Sequence, residues 1–199
     1  MRKIAILILA AGGSARLGTP KQLLVFRGKT LLNHTVEAAV ESRCRNIVIV
    51  LGSRAARLRP QLNRQVDVVE NRRWRQGPGT SIRAGLRRIL RRSIPDGVLI
   101  CVCDQPFLSA APITKLLRRF EKGDRSIVAS RYGKTRGVPA LFGSEWFDAL
   151  LRLDPAHGAK AIIQNNAPHV ATVPFPRGNF DIDTPADYRR LSADSSRGT

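Results

Sequence analysis

Ile4-Ala5-Ile6-Leu7-Ile8-Leu9-Ala10-Ala11-Gly12-Gly13-Ser14-Ala15-Arg16-Leu17-Gly18-Thr19-Pro20-Lys21 is the stretch that decides the fold. Its first six residues are apolar without interruption, as a strand covered on both faces must be. Its second half is a loop from Ala10 to Lys21. Glycines there let backbone amides come close to an anion, and Arg16 and Lys21 add positive charge at fixed offsets. A strand feeding such a loop is the start of an open α/β sheet, whose ligands bind beyond the carboxyl ends of the strands.

Downstream, short β-branched runs alternate with amphipathic segments, which predicts βαβ units and a three-layer α/β/α, Rossmann-like, mostly parallel sheet. Strands are expected at Ile47 to Leu51, Val66 to Val69, Gly97 to Val102, Ser126 to Ser130, Val138 to Phe142 and Val170 to Val173. Thr30 is placed to cap a helix running to about Ser42, with Leu31, Leu32, Thr35, Val36, Ala39 and Val40 as its buried stripe. Further helices are expected from Ser53 to about Leu58, from Thr80 to Arg92, after Ser109, over Glu145 to Arg152 and over Ala159 to Asn165. Thr184-Pro185-Ala186-Asp187 opens a last one with an N-cap threonine, a proline in the first turn and an early acid. One domain is expected over residues 1–191, with 192–199 a frayed polar tail.

Composition narrows the function classes. The chain has 199 residues, is 43 % hydrophobic and carries a net charge of +19. No apolar run approaches the ~20 residues that span a bilayer. Met1-Arg2-Lys3 before Ile4 to Ala11 has the outline of a short signal peptide, but the apolar stretch is short and Ile/Leu-rich like a buried strand. A cytoplasmic protein is expected. Cys44, Cys101 and Cys103 lack CxxC spacing, and His34, His157 and His169 are scattered, so neither a disulfide framework nor zinc ligation is indicated. Arginine supplies almost all the positive charge, most densely at Arg83, Arg87, Arg88, Arg91 and Arg92 on one predicted helix. No nucleic-acid-binding motif accompanies it, and a solvated helix face that attracts anionic substrates is the expectation.

The glycine loop is not a Walker A motif, because Gly18 is followed by Thr19 and Pro20 before Lys21. It is not GxGxxG either. As it stands, Leu-Ala-Ala-Gly-x-Ser-x-Arg-x-Gly-x-x-Lys from Leu9 to Lys21 resembles the signature of the molybdenum-cofactor nucleotidyltransferases. Further matches follow in order: Trp74-Arg75-Gln76-Gly77 with Ser81 and Gly85; Asp104-Gln105-Pro106; Gly137-Val138-Pro139-Ala140-Leu141-Phe142; and Asp181-Ile182-Asp183-Thr184-Pro185.

The resemblance implies attack by an acceptor phosphate on the α-phosphorus of a nucleoside triphosphate, which needs positioning and charge neutralisation rather than a protein nucleophile. On that reading Arg16, Lys21 and Asp104 are catalytic. Leu9, Ala10, Ala11, Gly12, Gly13, Arg16, Lys21, Gly77 and Ser81 bind the nucleotide, and Gln105, Gly137 and Pro139 contact the acceptor. Asp104 and Asp183 hold Mg²⁺, with Asp181 further out or structural. Ala10-Ala11-Gly12 resembles the CTP users of the family, whereas GTP users tend to carry Ala-Gly-Gly. The implied substrates are therefore CTP and molybdopterin, with a molybdoenzyme receiving the product. A sugar phosphate or other phosphate-ester acceptor, and a catalytically silent nucleotide-binding partner of a molybdoenzyme, are the alternatives. Two departures bear on the acceptor. Pro155-Ala156-His157-Gly158-Ala159-Lys160 stands where cytidylyltransferases commonly carry Gly-Asp-x-Gly-Ala-Arg, and Val138 stands where a histidine is common.

Overall fold

In the computed structural model, which describes residues 2–64 and 66–195, the chain forms β1 (Ile4–Ala10), β2 (Val25–Phe26), β3 (Lys29–Thr30), α1 (Leu31–Glu41), β4 (Asn46–Leu51), α2 (Ala55–Leu58) and β5 (Asp67–Glu70). It continues through α3 (Pro78–Arg92), β6 (Gly97–Val102), α4 (Ala110–Glu121), β7 (Ile127–Tyr132), β8 (Thr135–Gly143), α5 (Phe147–Leu151), α6 (Lys160–Asn165), β9 (Val170–Pro174) and α7 (Pro185–Ser195). Seven strands make one sheet in the order β5-β4-β1-β6-β8-β7-β9. Every pairing is parallel except those of β8, which runs antiparallel to both β6 and β7.

Strand β1 sits inside the sheet because both its faces are apolar. Ile6 and Ile8 meet Val36, Ile113, Leu116 and Phe120 on the α1/α4 side. Leu7 meets Ile82, Leu86 and Ile89 of α3 on the other, where α5 and α6 also pack. A separate cluster of Phe26, Leu31, Ile182 and Leu191 ties α7 to the β2–β3 hairpin. The chain moves outward from β1 to β4 and β5, then crosses back to β6 on β1's other flank. The loops after β1 and β6 therefore flank a topological switch point, the crevice where open α/β sheets bind ligands.

Three expectations are corrected. Val40 is exposed rather than part of the buried stripe of α1, because its position turns away from the sheet. The strands around Gly133 run almost to the turn as a hairpin, with Gly133 at φ +59° making the reversal. Helix α7 continues to Ser195, past Ser192 where fraying was expected, while residues 196–199 lie outside the described residues. At Ser109 the backbone takes the extended N-cap conformation, but its hydroxyl makes no capping bond. Among the described residues no helix is long and apolar enough to cross a membrane.

Candidate active site

The loop after β1 is held from beneath by Gln22, a residue the sequence reading passed over. Its amide nitrogen donates to Ala10 O at 3.0 Å and Gly12 O at 2.9 Å, and the side chain is almost fully buried. With those carbonyls fixed, the turn between them is fixed too. Ser14, in left-handed conformation at φ +54°, accepts from the Lys21 amide at 2.9 Å and closes the loop at its far end.

Leu9, Ala10, Ala11, Gly12, Gly13, Lys21, Gly77, Ser81 and Asp104 all line one cleft of about 350 Å³. This brings together most of the residues expected to bind nucleotide from three remote parts of the chain. Trp74 and Arg75 line it as well, and the Arg75 guanidinium stacks over the Trp74 ring at 4.6 Å. Asn71 organises that wall. Buried, it donates to Thr80 Oγ1 at 2.8 Å and Ser81 Oγ at 2.9 Å, while its own amide reaches Leu51 O at 2.7 Å. No motif announced Asn71 or Gln22, since a polar residue in an unaligned sequence reads first as surface.

Across the cleft mouth lies the charged cluster. Lys21 Nζ stands 2.8 Å from Asp104 Oδ2 and 2.8 Å from Asp183 Oδ1. Arg16, exposed at the rim, reaches Asp183 Oδ2 at 2.9 Å and takes no part in lining the cleft. Asp183 arrives here because Ile182 N donates to Asp104 O at 3.1 Å, stitching the two segments together. The Asp187 carboxylate then accepts from Thr184 N at 2.8 Å and from the Thr184 hydroxyl at 2.8 Å, a helix cap that fixes the end of that segment.

Electrostatics follow from this packing. Burial opposes the charge on Lys21, but Asp104 and Asp183 outweigh it, and the ammonium titrates above its usual range. The hydrogen bond from Lys21 holds the Asp183 carboxyl below the ordinary carboxylate range. Asp181, its neighbour at the same edge, is pushed up to about 6 by desolvation of its surroundings and then by the charges of Asp104 and Asp183. Asp183, not Asp181, is thus the carboxylate that meets Asp104 through a shared cation.

Gln105, Gly137 and Pro139, expected to contact the acceptor, lie outside the cleft lining. Gln105 is buried, and its amide nitrogen bonds Val138 O at 3.1 Å and Gly178 O at 2.7 Å. Pro139, after a cis peptide bond, and Gly137 are also buried, and a β-carbon at Gly137 would stand 2.1 Å from the Tyr132 hydroxyl. Gly85 faces the sheet, where a β-carbon would stand 2.2 Å from Leu7 Cδ1; packing rather than ligand approach explains it. The Asp154–His157 turn lies against the start of α3, with Gly79 N donating to Pro155 O at 3.1 Å. Cys101 and Cys103 are buried free thiols, pushed up to about 12 by burial. Among the described residues no group of three or more His, Cys, Asp or Glu side chains gathers to hold a metal.

Asp104 Oδ1 is buried and without a hydrogen-bond partner. An unsatisfied carboxylate oxygen beside a second carboxylate is a donor set of the hard, all-oxygen kind that suits Mg²⁺ or Mn²⁺.

A sheet of this order with a glycine turn, two cations and two carboxylates at its switch point defines a nucleotidyltransferase-type α/β protein. Residues 6–170 match the MobA-like NTP transferase domain, and the chain belongs to that family. It is 35 % identical over 124 residues to a nicotine blue oxidoreductase of Paenarthrobacter nicotinovorans, covering 61 % of this chain and 59 % of that one. It therefore spans less than two thirds of that relative's length. Over 203 residues, 98 % of this chain and 99 % of the relative, it is 28 % identical to a probable molybdenum cofactor guanylyltransferase of Bacillus mycoides. The crystal structure of Rv0371c from Mycobacterium tuberculosis superposes with a TM-score of 0.79 at 31 % identity, covering 96 % and 97 % of the two chains. A structure of Rv0371c in complex with manganese gives 0.74 at 29 % identity, covering 95 % and 97 %.

Proposed function

We propose that this chain is a Mg²⁺-dependent nucleotidyltransferase that moves CMP from CTP to the phosphate of molybdopterin and releases pyrophosphate. The observation that carries it is the convergence of the glycine turn, Lys21 and Asp104 on one cleft, with Arg16 and Asp183 at its mouth.

In this reaction an oxygen of the acceptor phosphate bonds to the α-phosphorus while the bond to the bridging oxygen breaks, its electron pair leaving with pyrophosphate. Negative charge builds on the leaving group, so fixed cations beside it lower the barrier. Backbone amides of the Gly12–Gly13 turn cradle the phosphates, and Lys21 and Arg16 neutralise them. Asp104 and Asp183 would hold the divalent cation, which screens phosphate charge so that the anionic acceptor can approach. The manganese complex of the Rv0371c relative supports a divalent metal here. Trp74 and Ser81 bound the remaining space, where the base and ribose sit.

CTP is favoured over GTP by Ala11, a buried residue of the cleft wall. Molybdopterin rests on the family and on the guanylyltransferase relative. Intact contacts among Arg16, Lys21, Asp104 and Asp183 favour an active enzyme over a silent binding partner. Pyrophosphate release should be measured with CTP, GTP, ATP and UTP against molybdopterin and a sugar phosphate. Turnover with CTP and molybdopterin, at least about a hundredfold lower in Asp104→Ala with the fold retained, is the expected result. Near-normal rates in Asp104→Ala would remove the metal assignment, and preference for a sugar phosphate would reassign the acceptor.

A further inference from the structure

Two carboxylates that are to receive a divalent cation already share a cation of the protein's own. Lys21 Nζ spans Asp104 Oδ2 and Asp183 Oδ1 at 2.8 Å each, with the lysine side chain only 13 % exposed. Arg16 supplies a second positive charge to Asp183 from the solvent side. Two cations thus meet two carboxylates directly, and Asp181, which feels the charges of Asp104, Asp183 and Lys21, is a third acid beside them.

Yet the lysine does not saturate the pair. An ammonium carries three donors and two are used here. Asp104 Oδ1 remains buried without a partner. The ammonium ends a flexible four-carbon stem, and Lys21 lines the same cleft as Gly12 and Gly13. Phosphates resting on that turn would share the cleft with the Lys21 side chain. The backbone of Lys21 is anchored by Ser14, so a change of partner is a side-chain swing and needs no movement of the loop.

We propose that Lys21 is the resident counter-ion of the Asp104–Asp183 pair, so that the free protein binds a divalent cation weakly and holds it tightly only with the triphosphate, whose phosphates draw Lys21 off the carboxylates. This rests on the reading of the cleft as a metal-dependent nucleotidyl-transfer site. A metal ion beside Lys21 would face like charge at short range in a partly desolvated cleft, whereas the triphosphate gives the ammonium a new anionic partner. By thermodynamic linkage, whatever factor the nucleotide adds to metal affinity the metal adds to nucleotide affinity. Lys21 thereby selects the metal–nucleotide complex as the form that binds.

The test uses Mn²⁺ alone as probe, titrated into the full chain and followed by the electron paramagnetic resonance signal of free Mn²⁺. Wild type should bind Mn²⁺ weakly, and Lys21→Met should bind it at least tenfold more tightly without nucleotide. Added Mn²⁺ should also raise the melting temperature of Lys21→Met more than that of wild type. Lys21→Arg, which keeps the charge, should stay close to wild type. Arg16→Gln should tighten Mn²⁺ less than Lys21→Met, because Arg16 touches one carboxylate only. Equal Mn²⁺ affinity in wild type and Lys21→Met overturns the proposal. So does micromolar Mn²⁺ binding by wild type alone, a result that depends on no variant folding. If instead CTP fails to bind wild type even with Mn²⁺ present, the nucleotidyl-transfer reading falls while the Mn²⁺ comparison still stands or fails by itself.

Discussion

Trp74 lies so close to Gly13 that a β-carbon at position 13 would stand 2.8 Å from the indole Cζ3 and 2.9 Å from Cη2. A β-carbon at Gly52 would likewise stand 2.7 Å from Trp74 Cβ. The indole is therefore positioned by two absent side chains, and it forms a wall of the cleft. Gly13 does not use a positive φ, so alanine there is barred by the indole and not by the backbone.

Gly13→Ala should push the ring aside and change the cleft more than the fold. An added methyl in a packed site costs about 1–3 kcal/mol, and here the ring can yield at the cleft's expense. The expected outcome is a KM for the triphosphate raised about tenfold, which is roughly 1.4 kcal/mol of lost binding. Trp74 fluorescence, read in a Trp146→Phe background, should shift in the same variant. Unchanged emission together with unchanged KM would show that the indole does not wall the site.

Gly85→Ala sets two effects of opposite sign against one another. Alanine gains about 1 kcal/mol over glycine inside a helix. At this position, though, the new methyl would stand 2.2 Å from Leu7 Cδ1 and 2.8 Å from Val50 Cγ2, both on fully buried residues, and overpacking costs about 1–3 kcal/mol. The overlap is severe enough for the second to win, so the variant should be less stable by about 1 kcal/mol in urea unfolding. A more stable Gly85→Ala would mean that α3 lifts from the sheet without penalty.

How far the sequence carries can be judged from these same residues. The β1 strand and its loop were legible because an unbroken Ile/Leu-rich run leads straight into a glycine turn with Arg16 and Lys21 at fixed offsets. The end of β6 was legible from its apolar run, with Asp104 just beyond it. The Thr184–Asp187 cap was legible because it is local chemistry. The direction of β8 was not, since an apolar strand reads the same forwards and backwards. Trp74 was visible within a motif, but its place on Gly13 and Gly52 depends on contacts between distant segments. Gln22 and Asn71 were missed because their burial is decided by the carbonyls and hydroxyls they satisfy, which only the folded chain assembles.

The edge strand offers a pH test away from the active site. Arg88 Nε and Nη2 hold the two oxygens of Asp67 at 2.7 and 3.0 Å, and Arg92 lies 3.3 Å away. The Arg88 hydrogen bond, and Arg92 after burial is set against it, keep the Asp67 carboxyl below its usual range. A carboxyl lowered in the folded state contributes stability in full above its unfolded value of about 4, and that contribution is lost as pH falls through the folded value. Asp67→Asn should accordingly be less stable than wild type at pH 6, with the gap narrowing as pH falls below about 4. Urea midpoints at pH 6 and pH 3 check this, and a gap of the same size at both would assign the loss to packing instead of charge.

Base choice turns on one methyl group. Ala11 lines the cleft, and its β-carbon stands 2.8 Å from where one on Gly52 would lie, so the residue fills the wall between the loop and the start of the α2 segment. Removing that methyl deepens the wall. A single methylene changes discrimination by about 1–3 kcal/mol, or roughly 10- to 200-fold. Ala11→Gly should therefore shift the ratio of kcat/KM for CTP over GTP at least about tenfold toward GTP, most of it through GTP gaining rather than CTP losing. Steady-state pyrophosphate release with both triphosphates measures it directly. A ratio that does not move would take base selection away from Ala11 and leave it to the Trp74 wall.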